Sequence, residues 1–409
     1  MTSYPKNKIK ILLLEGINDS AIEVLQEKGY AQITCMKGAL SNDELYEAIK
    51  DVHIIGIRSK TQLDALALAK AEKLMVIGCY CIGTNQVDLK EAQRKGIAIF
   101  NAPYSNTRSV AELVISNMIQ LVRQIPEKNK QAHIGVWLKE SKNCFELRGK
   151  TLGIIGYGHI GSQVSVLAES MGLDVIYYDV MTKLPLGNAR VVKSIDELMQ
   201  KSDIITIHVP ENNSTELLIN QARISLMKTT AVLINYARGS VVDLEALKIA
   251  LNEKRILGAA IDVFPVEPKS KGDTFATPLQ NIENVILTPH IGGSTEEAQA
   301  HIGADVSSKL VSFIDTGNTM GSHSLPEINL PTQEGAKRIL HIHQNIPGIL
   351  SAINTIMSKN NINIVGQYLA TNTEIGYVVL DFKSDIIETE HLQQELASIQ
   401  GTIRTRVLY

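Results

Sequence analysis

The chain has 409 residues, 40 Lys and Arg against 43 Asp and Glu, and a formal net charge of -3; at about 150 residues per domain, this suggests two or three domains. The near balance of charge argues against a nucleic-acid partner, and 44% hydrophobic with 20% charged residues argues against a largely disordered chain. Apolar runs such as residues 11–14 and 231–234 are too short to span a bilayer, and no apolar stretch follows the lysines of residues 1–10, so neither a membrane nor export is expected.

The first hundred residues alternate strand and helix signals. Residues 9–14 are an apolar run ending in Glu15-Gly16, and residues 20–28 read as a short amphipathic helix stopped by Gly29. Buried strands are expected at 53–58, 74–78 and 98–101, with helices at 43–50 and 87–95. Strands separated by helices imply βαβ units and a parallel sheet. A long apolar helix at 109–122 opens a second α/β series, with strands at 151–156, 174–178, 204–208, 231–235, 258–262 and 285–288. A helix at 295–314 follows. Residues 318–331, with Pro326 and Pro331 among Ser and Asn and no clear period, read as a linker. The tail reads strand (338–343), helix (347–359), strand (362–370), strand (376–382), helix (388–398), strand (402–408). That order is βαββαβ, a compact ferredoxin-like unit.

Gly156-Tyr-Gly158-His-Ile-Gly161 is a GxGxxG between an apolar strand and a helix expected at 160–171. This strand–turn–helix setting is what a dinucleotide-binding, Rossmann-type fingerprint requires. Gly156 allows the tight turn, Gly158 lets backbone approach a pyrophosphate, and Gly161 lets the helix pack on the sheet. The amides of His159 and Ile160 would sit at the helix N-terminus, where partial positive charge favours phosphate. Asp179 lies 18 residues after Gly161, at the end of the next strand. A carboxylate there accepts from ribose hydroxyls and repels a 2′-phosphate, so NAD is favoured over NADP; nearby Lys183 would soften that preference.

Three further features follow strands of the same half: Asn235-Tyr236-Ala237-Arg238-Gly239, Asp262 to Glu267, and Thr288-Pro289-His290-Ile291-Gly292-Gly293. In an open parallel sheet, ligands bind beyond the carboxyl ends of the strands. Arg238, Glu267 and His290 can therefore converge. Oxidation of a 2-hydroxy acid needs a carboxylate anchor, a base for the hydroxyl proton and a hydride acceptor. Arg238 can grip a carboxylate with its planar fork. His290 titrates near neutrality and can take the proton. Glu267 can orient the imidazole and favour its charged form. Singly, each has a plainer reading, as a turn, a loop charge or a helix-start residue.

Cys35, Cys79, Cys81 and Cys144 make neither a CxxC nor a disulfide framework, which points to reduced thiols in a cytoplasmic protein. His341 and His343 share one strand face, but no Cys or third His lies close, so no metal site is expected.

Together, the GxGxxG turn, the Tyr236–Gly239 and Asp262–Pro268 segments and the Thr288–Thr295 segment resemble the D-isomer-specific 2-hydroxyacid dehydrogenase family. Residues 57–61, 77–85 and 101–112 extend the resemblance over essentially the whole chain. It implies a flavodoxin-like substrate domain from residues 1–105 and 293–330, a Rossmann NAD-binding domain at 106–292 and a regulatory ACT domain at 336–409. Arg238 would anchor substrate, Glu267 support the histidine, and His290 exchange the proton. NAD would touch His159, Ile160, Asp179, Tyr236, Ala237, Arg238, Asp262, His290, Ile291, Gly292 and Gly293. Tyr236 stands where many relatives have Ser or Thr, so a backbone contact is the safer expectation there.

Within the family the chain is similar to the branch acting on 3-phosphoglycerate at the start of L-serine biosynthesis. That implies substrate contacts from Arg58, Ser59, Lys60 and Asn106, with Lys37 and Lys139 as further cations. It also implies feedback by L-serine through His343, Asn345 and Asn363, between two regulatory domains of a homotetramer, and a side activity on 2-oxoglutarate. The alternatives are a dehydrogenase for another 2-hydroxy acid and a dinucleotide-sensing, corepressor-like binding protein.

Overall fold

The structure, a computed structural model, describes residues 5–268, 272–331, 335–383 and 389–408. It divides into two compact units, Met1–Ser105 with Gln299–Tyr409, and Asn106–Ala298.

The first unit begins with β1 (Lys10–Leu13), α1 (Asp19–Glu27), β2 (Gln32–Cys35), α2 (Asn42–Ala48), β3 (Ile54–Ile57), α3 (Ala65–Lys70), β4 (Val76–Cys79), α4 (Leu89–Arg94) and β5 (Ala98–Asn101). All strand pairs are parallel, in the order β2-β1-β3-β4-β5. That is the flavodoxin-like order, whose sheet is covered on both faces. Accordingly β3, β4 and β5 are buried at every residue. Asn18, Ser41, Asp64 and Asp88 cap α1 to α4 by accepting from first-turn amides. The strand β2 was not foreseen. It is a sheet edge whose Gln-Ile-Thr-Cys run is mostly exposed, so it lacks the apolar signal of its neighbours.

The second unit holds α5 (Thr107–Val122), α6 (Ile125–His133), β6 (Thr151–Ile155), α7 (His159–Ser170), β7 (Asp174–Tyr178), β8 (Arg190–Val191), α8 (Ile195–Lys201), β9 (Ile204–Ile207), α9 (Gln221–Ile224), β10 (Val232–Asn235), α10 (Leu244–Asn252), β11 (Gly258–Ile261) and β12 (Val285–Leu287). Its parallel sheet runs β12-β11-β10-β9-β6-β7-β8. The strand order reverses between β6 and β9, the switch point at which Rossmann sheets bind dinucleotides. Alternate residues feed two cores: Leu233, Ala259 and Ile261 on one face, Val232, Ile234 and Ala260 on the other.

The helix α11 (Glu296–Thr316) re-enters the first unit at Gln299. The two-unit division falls six residues beyond the expected boundary at residue 293: Gly293 packs on Asn106, and Thr295 Oγ1 lies 2.8 Å from Ser109 Oγ of α5. Residues 318–331 are irregular but are not a solvated linker. Thr319, Ser324, Leu325 and Ile328 are buried, the His323 amide donates to the Ile99 carbonyl (2.9 Å), and the Ser324 hydroxyl donates to the Ile97 carbonyl (2.7 Å). Prolines remove periodicity without removing burial, and the composition signal cannot tell a strap from a tether.

The tail forms β13 (Lys337–Gln344), α12 (Ile349–Lys359), β14 (Asn363–Thr371), β15 (Ile375–Lys383), α13 (Thr389–Ala397) and β16 (Thr402–Leu408), an antiparallel sheet ordered β14-β15-β13-β16. This is the ferredoxin-like unit; the expected helix start at residue 388 lies outside the described residues. Ile339, Ile353, Met357, Leu392 and Leu396 pack one sheet face under its helices. The other face puts Leu340, Ile342, Tyr377, Val379 and Leu408 into one cluster with Ile9, Ile11, Phe100 and Phe313. Arg338 joins the tail to the strap and to α11: it bonds Asp381 through two nitrogens (2.6 and 2.8 Å) and donates to the Thr316 and Pro331 carbonyls.

Candidate active site

The glycine turn after β6 is shaped by what surrounds it. Gly156 has φ +93° and a Cβ there would lie 2.4 Å from the His208 carbonyl; a Cβ on Gly161 would lie 2.2 Å from the Gly156 carbonyl. Both are close backbone approaches that only glycine permits. A Cβ on Gly158 would meet nothing within 4 Å. Gly158 is also the N-cap of α7, and no side chain caps that helix. With no capping side chain, the helix N-terminus keeps the partial positive charge that fits a pyrophosphate. Asp179 ends β7 beside the turn, accepting from the Tyr157 amide (2.8 Å) and the Met181 amide (2.8 Å). These bonds fix its carboxylate where ribose hydroxyls are expected.

Beyond β10, β11 and β12 the three catalytic candidates are gathered by backbone contact. A Cβ on Gly239 would lie 2.0 Å from the Phe264 carbonyl carbon, so the turn carrying Arg238 runs against the segment leading to Glu267. The Phe264 amide donates to Glu267 Oε1 (3.1 Å). Glu267 Oε2 lies 2.8 Å from His290 Nδ1. The Glu267 hydrogen bond raises the His290 pKa above its ordinary value, against the effect of burial, with the Glu267 and Asp262 charges adding to the rise. Burial pushes the Glu267 carboxyl up, but the His290 and Phe264 bonds and the His290 and Arg238 charges hold it below the usual range. His290 itself has φ +54°, a left-handed conformation uncommon outside glycine and tolerated at functional sites.

Asp262 holds that conformation. It is buried, and its carboxylate accepts from the Thr288 hydroxyl (2.6 Å), the Ile291 amide (2.9 Å) and the Gly292 amide (2.8 Å), while its carbonyl accepts from the His290 amide (2.8 Å). It was expected as a cofactor contact; its visible work is to shape the histidine turn. The Tyr236 side chain is buried, its hydroxyl accepting from Asn117 Nδ2 (2.5 Å) and lying 3.3 Å from Thr288 Oγ1. Burial pushes its pKa up to about 12. Asn106 is buried against Gly293, and its Oδ1 has no partner among the described residues. Sequence reasoning missed His208, whose imidazole lies 2.9 Å from Thr206 Oγ1 and is held neutral by burial, its pKa down to about 3.

The loop after β3 carries Arg58, Ser59 and Lys60. One carboxylate organises it: Glu15 accepts from the amides of Arg58 (3.1 Å), Lys60 (3.0 Å) and Thr61 (2.9 Å). Glu15 is buried with φ +64°. Its role was also missed, since it lies 43 residues before Arg58 in sequence. Lys60 is exposed and Arg58 half-buried. Among the described residues neither side chain has an ion-pair partner. Lys37 and Lys139 are exposed.

In the tail, His343 is buried with Nδ1 2.7 Å from the Gln344 carbonyl and Nε2 without a partner among the described residues, and Gly376 opposite leaves room for its ring. Asn345 donates to the Asn372 carbonyl (2.7 Å). Asn363 pairs with Lys383, whereas His343 pairs with Gly376, seven residues along β15. At about 3.3 Å per residue that is roughly 23 Å. One chain therefore does not bring Asn363 to His343 and Asn345.

Residues 115–292 match the D-isomer specific 2-hydroxyacid dehydrogenase, NAD binding domain. The full chain is 54% identical over 407 residues to the D-3-phosphoglycerate dehydrogenase of Haemophilus influenzae, covering 100% of this chain and 99% of that one. The chain belongs to the D-isomer-specific 2-hydroxyacid dehydrogenase family. It is 51% identical over 407 residues to the D-3-phosphoglycerate dehydrogenase of Escherichia coli K12, again with 100% and 99% coverage. Residues 339–404 match an AHAS small subunit-like ACT domain, so the ferredoxin-like tail is an ACT domain. Among solved structures, the D-lactate dehydrogenase from Aquifex aeolicus complexed with NAD and lactic acid superposes with a TM-score of 0.63 at 27% identity, covering 75% of this chain and 95% of that one. The enzyme is an NAD-dependent oxidoreductase of this family, and the tail carries the ACT domain that was expected there.

Proposed function

We propose that the enzyme oxidises D-3-phosphoglycerate to 3-phosphohydroxypyruvate, the first step of L-serine biosynthesis, under feedback by L-serine at the ACT domain. The whole-length likeness to relatives named for that reaction carries the reading. Arg238 holds the substrate carboxylate, and Arg58, Ser59 and Lys60, with Asn106, hold the phosphate end. His290, oriented through Nδ1 by Glu267, takes the C2 hydroxyl proton on Nε2. Bound NAD supplies the acceptor for the C2 hydride. The charge gained by His290 is stabilised by the Glu267 carboxylate, so proton transfer and orientation come from one pair. On reduction, protonated His290 returns the proton, and 2-oxoglutarate, a 2-oxo acid of similar size, is a second substrate.

The remaining parts follow from the same reading. The enzyme works in the cytoplasm as a homotetramer, with α5 at one interface and paired ACT domains at the other. The substrate domain comprises residues 1–105 and 293–330, the NAD domain 106–292 and the ACT domain 336–409. Hinges near residues 104–107 and 292–293 let serine bias closure. Serine sits between His343 and Asn345 of one ACT domain and Asn363 of another, which accounts for their separation in a single chain.

NADH fluorescence during reduction of 3-phosphohydroxypyruvate, with and without serine, tests the reading. Turnover that serine suppresses, with suppression blunted in Asn363→Ala, supports it. Saturable NADH binding without turnover of any 2-oxo acid supports the sensor reading instead, and faster turnover of pyruvate or glyoxylate points to another 2-hydroxy acid.

A further inference from the structure

A cavity of about 640 Å³ lies within the first unit, away from the catalytic turns and from His343, Asn345 and Asn363. Its walls are β16 and α13 of the ACT domain and the residues leading into β1, β3 and β4. Two arginines of β16, Arg404 and Arg406, line it. Arg404 Nη1 donates to the Leu74 carbonyl (2.7 Å), and Arg406 Nη2 donates to the Ile314 carbonyl (2.9 Å) with its guanidinium over the Phe313 ring (5.4 Å). Among the described residues neither has a carboxylate within ion-pair distance. Arg406 Nη1 is buried with no hydrogen-bond partner among the described residues.

The surroundings do not supply the missing charge. Asp315, the acid that acts on Arg406, already accepts from Lys6 Nζ (2.6 Å) and the Tyr30 hydroxyl (2.8 Å). Lys8 and Lys73 add positive charge to the walls, and Glu72 and Glu390 are the acidic residues there. His53 accepts from the Lys10 amide through Nδ1, and burial, with the Lys73 and Lys10 charges, lowers its pKa. Burial depresses both arginines, Arg404 to about 10, with the Arg406 charge adding to the fall at Arg404. A buried cation left without a counter-charge is costly, and a guanidinium fork is the group best matched to an oxyanion.

We propose that this cavity binds a small oxyanion metabolite, a phosphate monoester or a polycarboxylate, through the guanidinium groups of Arg404 and Arg406. The bound anion bridges the ACT sheet and the base of the N-terminal sheet. It is a second effector position, independent of the serine site and of the catalytic reading.

Calorimetry on the full-length enzyme with inorganic phosphate and with citrate, at ionic strength held constant with potassium chloride, tests this. The expected result is saturable binding of at least one probe, weakened about tenfold or more in Arg406→Met, a loss equal to one charge-assisted contact. Phosphate also suits the loop of Arg58 and Lys60, so the Arg58→Ala, Lys60→Ala protein is the control and should retain the cavity's binding. Hydrogen exchange of the unmutated enzyme locates the site without a core substitution: amides of residues 402–408 should exchange several-fold more slowly with the anion present. Citrate without phosphate marks the ligand as a polycarboxylate, and the reverse marks a phosphate ester. No saturable binding, unchanged exchange at 402–408, or binding lost only in the Arg58→Ala, Lys60→Ala protein overturns the proposal.

Discussion

The loop at residues 58–61 and the turn at 288–292 are built alike. Each follows a parallel strand, β3 or β12, and each hangs from one buried carboxylate supplied just after the neighbouring strand: Glu15 after β1, Asp262 after β11. Glu15 accepts three amides; Asp262 accepts two amides and a hydroxyl. What hangs there differs. One loop presents fixed cations, which in the proposed reaction would contribute binding energy to ground state and transition state alike. The other presents an imidazole whose proton affinity is tuned by Glu267. Under the proposed function, the same scaffold device would serve uniform binding in one place and a charge that changes during reaction in the other.

Breaking Asp262 should have the larger consequence. Asp262→Ala strands two amides and the Thr288 hydroxyl and releases the left-handed His290 backbone. It should lower kcat about 10²-fold or more and stability by about 2–3 kcal/mol, read by steady-state kinetics and thermal unfolding. A variant of wild-type kcat would show that the turn holds itself.

Glu267→Gln should be the sharper probe, costing about 10- to 10²-fold in kcat. It removes the charge that raises the His290 pKa, so that pKa falls. Oxidation needs neutral His290 and rises with pH through this value, so its acid limb moves to lower pH. Reduction needs protonated His290 and fades at lower pH than before. Profiles of kcat/KM in both directions check the sign, and unmoved limbs would take Glu267 out of the proton transfer.

Glu15→Gln should do least, because one amide oxygen still accepts. A rise of about 5- to 10-fold in KM for the phosphorylated substrate is expected, with kcat within about 2-fold. A matching fall in kcat would end the contrast between the two loops.

Much of this was legible in the residues. The GxGxxG turn, Asp179 and the triad of Arg238, Glu267 and His290 are local motifs, and parallel-sheet geometry alone places strand-end loops together. Glu15 was hidden because its partners are backbone amides of a distant loop, which leave no side-chain signature. Asp262 was seen as part of a motif but given another task, since hydrogen bonds to Ile291 and Gly292 cannot be read from spacing. The strap at 318–331 was misread because its burial comes from Leu325 and Ile328 meeting a sheet folded two hundred residues earlier. His343, Asn345 and Asn363 were expected at an interface between two regulatory domains by resemblance; how far apart one chain holds them is set by the register of β14, β15 and β13.

The shared cluster of Leu340, Ile342, Tyr377, Val379 and Leu408 with Ile9, Ile11 and Phe313 has an engineering meaning. The ACT domain is no detachable cassette. Grafted elsewhere as a sensor, it would carry a bare apolar face, and an enzyme cut at the strap would keep the matching bare seat. Chimeras in this branch should exchange both sides of that seam together, or bring a new cover for each.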